Sequence, residues 1–265
     1  MRNNNIEGLH KGIFYRFINS NKKYTLLFLH GFTGSSFIWD EQIESLSKKY
    51  NLLLIDLFGH GKSETPKKIE DYFFKNQSKI IVEIINKLGI DFLAITCYSY
   101  SVYIGLDIQN LISRKIKSMI FISPYFKEGN NFFERQVLKM IKFLWRYLVP
   151  NKKHLLDYSK LENYETPTFK DKKYTLKSIN TKDILGSIYA LSKQKMLLKN
   201  KKVNIPVLVI YGENDKMFSD EIKQKFNDYK ITKYKKMIGK KHLFLKTKSE
   251  EINKDIINFL SNSLK

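Results

Sequence analysis

An α/β fold, with a mostly parallel central sheet flanked by helices and a helical cap inserted late in the chain, is what this sequence predicts. Three observations lead there. Short apolar runs alternate with amphipathic segments through residues 1–124, and the alternation returns over residues 205–265. This is the pattern of strands buried on both faces and covered by helices. Between Pro124 and about Asn204 the alternation stops, and the chain becomes aromatic and basic without clear strands. Residues 1–124 and 205–265 therefore read as two parts of one core domain, and 125–204 as the cap.

In chain order, Gly8 to Ile18 reads as an edge hairpin. Tyr24–His30, Asn51–Asp56, Asp91–Cys97, Lys117–Ser123, Pro206–Tyr211 and Ile231–Ile238 are the apolar runs expected to form strands. Helices are expected between them at Phe37–Lys49, Ile69–Leu88, Tyr100–Ile112, Asp220–Phe226 and Ser249–Leu260. In the second of these, Ile80, Ile81, Ile84, Ile85 and Leu88 recur at helical spacing, so one face is buried. The first part of the cap places Phe133, Val137, Met140, Ile141, Leu144 and Leu148 along one helical face, and Pro150 ends that helix. The plain expectation is that this face packs on the core. Two sharper ones are a lid over an acyl pocket and an interfacial helix whose Lys139, Lys142 and Arg146 meet anionic lipid.

With 265 residues and 43% hydrophobic content, the chain can bury a full core as one domain with a small insertion. The first residues, MRNNNIEGLHKG, are polar, and no apolar run approaches the ~20 residues of a membrane span, so a cytoplasmic protein is expected. The single cysteine excludes an intrachain disulfide and a multi-cysteine metal site. The net charge of +21 invites a nucleic-acid reading, but the lysines fall as scattered pairs such as Lys22-Lys23, Lys67-Lys68 and Lys201-Lys202. No single basic stripe or binding motif accompanies them, so no nucleic-acid partner is expected. Abundant Lys, Asn, Ile, Phe and Tyr, all with A/T-rich codons, point instead to a low-GC genome with a basic proteome.

Chemistry-bearing residues gather at strand ends. In DFLAITCYSYSVYIG, Asp91 to Gly105, an apolar run breaks onto Ser99 and restarts as a helical segment. A serine on such a strand-to-helix turn needs small residues two places before and after it, because strand and helix approach closely there. Cys97 and Ser101 occupy the places where the usual G-x-S-x-G pattern has glycines. Cys97 itself belongs to the strand end, where its side chain should be buried. The first central strand leads into His30-Gly31-Phe32-Thr33-Gly34-Ser35. A phosphate-cradling turn is the competing reading of that loop, but no lysine follows it. The next strand ends in Asp56-Leu57-Phe58-Gly59-His60-Gly61-Lys62-Ser63, where the spacing of a P-loop fails because its first glycine would fall at Asp56. Asp56 and His60 read as loop-shaping residues. Ile205 to Asp215 is a buried strand followed by an acidic turn, and Gly239-Lys240-Lys241-His242 follows the last strand.

Together these segments resemble the α/β-hydrolase family over nearly the whole chain. The resemblance implies Ser99 as nucleophile, His242 as general base and Asp215 as the carboxylate that fixes the imidazole, with Glu213 a weaker substitute. The backbone N–H groups of Phe32 and Tyr100 would form the oxyanion hole, and His30 would orient its loop. No metal or organic cofactor is required. Lys241, where the family often has glycine, would lower the imidazole pKa if its cation lies close. The implied activity is serine carboxylesterase chemistry on a small-molecule ester with a short or medium apolar acyl group. Two other readings accompany it. HGFTGS with Tyr98-Ser99 also resembles the menaquinone-pathway (SHCHC) synthase branch, which eliminates pyruvate, although that branch commonly has Arg where Val102 stands. A catalytically silent scaffold used for binding is the third.

Overall fold

The computed structural model describes residues 4–126, 132–148, 154–156, 176–193, 205–218, 223–224, 226 and 232–264. An eight-stranded sheet forms from β1 (Asn4–His10), β2 (Ile13–Asn19), β3 (Thr25–Leu29), β4 (Asn51–Asp56), β5 (Leu93–Tyr98), β6 (Ile116–Ile122), β9 (Val207–Gly212) and β10 (Thr232–Met237). Its order is β1-β2-β4-β3-β5-β6-β9-β10. The hairpin β1–β2 is antiparallel and joins β4 antiparallel, whereas the strands from β4 to β10 run parallel. The expected edge hairpin and six further strands are all present; the six lie within two residues of their expected bounds, whereas the hairpin begins at Asn4, four residues before the expected Gly8.

Alternation along each strand divides the core in two, as the period of two requires. Leu27, Leu29, Ile95, Cys97, Phe121 and Val209 face one side, where α2 (Phe74–Lys87) and α3 (Val102–Leu111) cover them. Leu26, Phe28, Ala94, Tyr98, Ile122 and Ile210 face the other, against α1 (Asp40–Leu46) and the C-terminal helix α6 (Ser249–Ser263). The sheet is therefore apolar on both faces, and its functional groups are confined to strand ends.

The single helix expected over Ile69–Leu88 is two elements. A 3₁₀ turn covers Ile69–Tyr72, Phe73 is extended at φ −56° and ψ 132°, and α2 starts at Phe74. The cause is three successive aromatic rings with different destinations: Tyr72 and Phe74 are buried, while Phe73 stacks on Tyr189 at 6.0 Å. Within α2, Ile81, Ile84 and Ile85 are buried, and Ile80 and Leu88 are half-buried.

Between β6 and β9 lie α4 (Phe132–Leu144), continued by a 3₁₀ turn at Trp145–Tyr147, then the antiparallel pair β7 (His154–Leu156) and β8 (Leu176–Ile179), and α5 (Thr181–Lys193). The buried face of α4 differs from the expected one. Leu138, Ile141 and Trp145 are buried, Val137 and Leu148 are half-buried, and Phe133, Met140 and Leu144 face outward. Trp145 sets that rotation, since its Nε1–H donates to the Lys67 carbonyl at 3.0 Å and its ring meets Tyr72 edge-on at 5.6 Å. Pro150 and most of the expected helix Asp220–Phe226 lie outside the described residues. No described helix is long and apolar enough to cross a membrane.

Candidate active site

Ser99 sits where β5 ends and a 3₁₀ turn, Ser99–Ser101, leads into α3. Its φ is +55°, a left-handed conformation that L-residues adopt at a cost of roughly 1–3 kcal/mol unless the surroundings impose it. The two small residues beside it impose it by different means. The Cys97 side chain, buried among apolar groups, packs against Gly105 of α3, where an added Cβ would lie 2.3 Å from the sulfur. The room that a glycine at 97 would supply is thus provided across the interface by Gly105. Burial also pushes the Cys97 thiol well above its ordinary pKa, which keeps it protonated and unreactive. Ser101 Oγ accepts the Tyr98 N–H at 3.0 Å and lies 2.9 Å from the Leu29 carbonyl, tying the turn to β3.

The candidate acid and base, Asp215 and His242, follow the ends of β9 and β10. Asp215 follows β9 in a tight turn, with its N–H on the Gly212 carbonyl and its Oδ1 accepting the Met217 N–H at 2.9 Å. Backbone bonds join this turn to the histidine loop, from Glu213 N–H to Met237 O and from Asn214 N–H to Lys240 O. Across that junction His242 Nδ1 lies 2.8 Å from Asp215 Oδ2, and His242 Nε2 lies 2.9 Å from Ser99 Oγ. With Nδ1–H donating to the carboxylate, Nε2 is left as acceptor for the serine hydroxyl. Asp215's carboxyl is fully buried, His242's ring is 14% exposed and Ser99 7%. Glu213 points elsewhere, accepting from Gly239 N–H and pairing with Lys236. Lys241 is exposed.

Two hydroxyls that the sequence reading did not single out hold the histidine. Tyr98 O–H donates to the His242 carbonyl at 3.1 Å, and Ser123 O–H donates to the same oxygen at 2.9 Å. The Tyr98 ring also stacks on the imidazole, with centroids 6.0 Å apart. These contacts span 144 and 119 residues of chain, and Ser123, at φ +44° just past β6, carries no local motif that marks it.

The loop after β3 packs against the elbow. Phe32 and Tyr100 lie side by side, their rings edge-to-face at 5.9 Å. Tyr100 is at the start of a helical turn, where N–H groups have no intrahelical acceptor. His30 is fully buried, donates from Nδ1 to the Gly31 carbonyl at 2.8 Å and accepts the Leu57 N–H on Nε2 at 3.0 Å. Burial lowers its pKa to about 4, so it is neutral and orients the two loops. Asp56 shapes its own loop by accepting the Ser36 N–H at 2.6 Å and the Lys62 N–H at 2.8 Å. Among the described residues, no group of three or more His, Cys, Asp or Glu lies together as a metal ion would need.

A family model described as the alpha/beta hydrolase fold matches residues 24–249 of the chain. The chain belongs to the alpha/beta hydrolase family. Among characterised relatives, bifunctional epoxide hydrolase 2 of Sus scrofa is 32% identical over 97 residues, which is 36% of this chain and only 16% of that enzyme. An uncharacterised hydrolase of Bacillus subtilis, YugF, is 23% identical over 266 residues and matches 94% of each chain. The solved structure of MenH from S. aureus superposes with a TM-score of 0.78 at 22% identity, over 97% of this chain and 100% of that one. Family membership supports a hydrolase, and the likeness to MenH is one of fold.

Proposed function

We propose that this protein is a serine hydrolase of carboxylic esters, with a short or medium apolar acyl group as its preferred substrate. The observation that carries this reading is the continuous relay from Ser99 through His242 to Asp215, at 2.9 and 2.8 Å, with the serine raised on a left-handed turn. In the first step Ser99 Oγ attacks the ester carbonyl while His242 Nε2 takes its proton. The tetrahedral oxyanion is received by the N–H groups of Phe32 and Tyr100, each worth on the order of 3 kcal/mol in the transition state. His242 then protonates the departing alcohol. Water, giving its proton to the same nitrogen, releases the acid and restores Ser99. Asp215 holds the imidazole tautomer and stabilises its protonated form throughout.

The chemistry of a hydroxyl nucleophile favours esters over the epoxides acted on by the pig relative. If Ser99 opened an epoxide, the product would be an alkyl ether on its Oγ, and such a bond has no carbonyl for water to attack. Acyl transfer leaves an ester on Ser99, which the same relay can hydrolyse. A lyase reading of the MenH kind lacks a cation after Ser101, because Val102 is apolar and fully buried.

A panel of p-nitrophenyl esters from acetate to palmitate, assayed on the wild type and Ser99→Ala, tests the proposal. Turnover is expected to peak at short or medium chains and to fall by at least ~10³-fold in Ser99→Ala. Fluorophosphonate should label the wild type and not the variant. Unchanged turnover in Ser99→Ala, or no labelling of folded wild type, would remove Ser99 from the chemistry.

A further inference from the structure

Helix α4 presents three distinct sectors once its positions are laid out at about 100° per residue. Leu138, Ile141 and Trp145 define the inner sector, each no more than 6% exposed. Beside it runs a basic row of Arg135, Lys139, Lys142 and Arg146, spaced like successive helical turns. The remaining sector faces outward and is mostly apolar, with the exposed Gln136 as its polar member. It carries Phe132, Phe133, Met140, Phe143 and Tyr147, each between 55% and 75% exposed. A row of large apolar side chains this exposed, on a helix whose other side packs on the core, is the kind of surface that marks an interaction site.

We infer that this outward face seats the protein on an anionic phospholipid surface, its aromatic side chains entering the headgroup boundary and Lys139 and Arg146 meeting lipid phosphates. Charge complementarity selects this occupant. The chain carries a net charge of +21, so a second copy would bring two basic rows and two strongly positive molecules together, whereas an anionic bilayer attracts both row and molecule. Long basic side chains beside an apolar sector keep their heads at the level of the lipid headgroups while their stems lie along it. A single-stranded nucleic acid would also meet the charge and stack on the rings, but Met140 and Leu144 lie on the same face and gain only from entering an apolar phase, which a nucleic acid does not offer. The helix is fixed to the core by its inner side, through Trp145 on the Lys67 carbonyl and Lys142 on Glu70 at 3.2 Å, so the outward face is left for the membrane.

Vesicle co-sedimentation of the full chain tests this independently of the chemistry at Ser99. With vesicles of phosphatidylcholine containing about 30 mol% phosphatidylglycerol, the protein should sediment at least ~10-fold more strongly than with phosphatidylcholine alone, and the difference should shrink as salt is raised. Phe133→Glu with Phe143→Glu should reduce binding at least ~10-fold, and Lys139→Glu with Arg146→Glu several-fold, with an unchanged far-UV circular dichroism spectrum and cooperative thermal melt as the sign of an intact fold. Ser99→Ala should bind vesicles as the wild type does. Failure of the folded wild type to sediment with anionic vesicles, or sedimentation unaffected by the Phe133/Phe143 pair, would overturn the inference. So would a dimer, or a complex with a single-stranded oligonucleotide, that the Phe133/Phe143 pair abolishes while vesicle binding stays intact.

Discussion

The candidate site and the cap both assemble residues that are far apart in sequence, and they do so by different means. Around Ser99 the work is done by backbone. The acid turn and the histidine loop are joined by main-chain hydrogen bonds, and Ser123 N–H closes onto the Ile210 carbonyl at 2.8 Å. At the foot of α5 the work is done by one buried side chain. Asp183 Oδ1 accepts the Tyr72 hydroxyl, and Oδ2 accepts the Thr65 hydroxyl at 3.0 Å. Asn180 caps the same helix by accepting the Asp183 N–H at 2.9 Å and donates to Thr65 at 3.2 Å. Gly59, at φ +76°, makes space for the carboxyl, since a Cβ there would lie 2.4 Å from Asp183 Oδ1. A frame made of backbone tolerates replacement of its side chains, whereas an attachment made of one carboxylate does not.

The largest expected effect follows from that contrast. Asp183→Ala removes the acceptor for the buried Tyr72 hydroxyl and the half-buried Thr65 hydroxyl, and Tyr72 cannot compensate by ionising, because its burial pushes its pKa up. Loss of about 3 kcal/mol in urea unfolding is expected. Proteolysis should then begin near α5 while residues of the sheet stay protected. A loss no greater than that of an exposed Asp→Ala change would show that the cap is held elsewhere.

Next comes the packing beneath Ser99. Gly105→Ala drives a methyl into the Cys97 sulfur and should cost about 2 kcal/mol together with a large fall in esterase turnover, since α3 must shift at the elbow. Adding Cys97→Ala should return most of both. The double-mutant cycle should give a coupling of about 1–2 kcal/mol, and additive losses would disprove the compensation between positions 97 and 105.

That compensation also marks the limit of what the sequence shows. The edge hairpin and six further strands were legible because apolar runs are local, and the resemblance to the α/β-hydrolase family then singled out Ser99, Asp215 and His242 among the residues that follow such runs. The resemblance to G-x-S-x-G named the small residues at 97 and 101, but the partner that makes Cys97 acceptable lies on the far side of the turn. The same holds for the break at Phe73 and the rotation of α4. Both are decided by where Tyr72 and Trp145 find each other, which helical periodicity does not encode. Exposed Phe133 and buried Leu138 look equally apolar in the sequence, and only the Trp145 anchor distinguishes their faces.

Smaller effects are expected where the backbone frame carries most of the burden. Tyr98→Phe and Ser123→Ala each remove one of two hydroxyls on the His242 carbonyl, which frees the imidazole to drift from Ser99. Each should lower kcat roughly 3–10-fold with KM unchanged, corresponding to about 1 kcal/mol. The double variant should lose more than either alone. A rise in KM at constant kcat would instead place these hydroxyls in substrate binding.

The smallest effect separates a buried carboxyl that is supported from one that is not. Asp107 of α3 is buried, and its Oδ2 finds no hydrogen-bond partner among the described residues, in contrast to the doubly bonded Asp183. Burial raises its pKa to about 6, with the Lys75 charge opposing. An unfolded aspartate titrates near about 3.9, so the native state holds the proton more tightly than the unfolded chain does. The resulting stability is fully present below about pH 4 and is lost as pH rises through about 6. Asp107→Asn, which cannot ionise, should match the wild type near pH 4 and become the more stable of the two by pH 7, in thermal melts across that range. A difference between the two proteins that stays constant with pH would mean that Asp107 is ionised and solvated in the native state, and that burial without a partner carries no cost at that position.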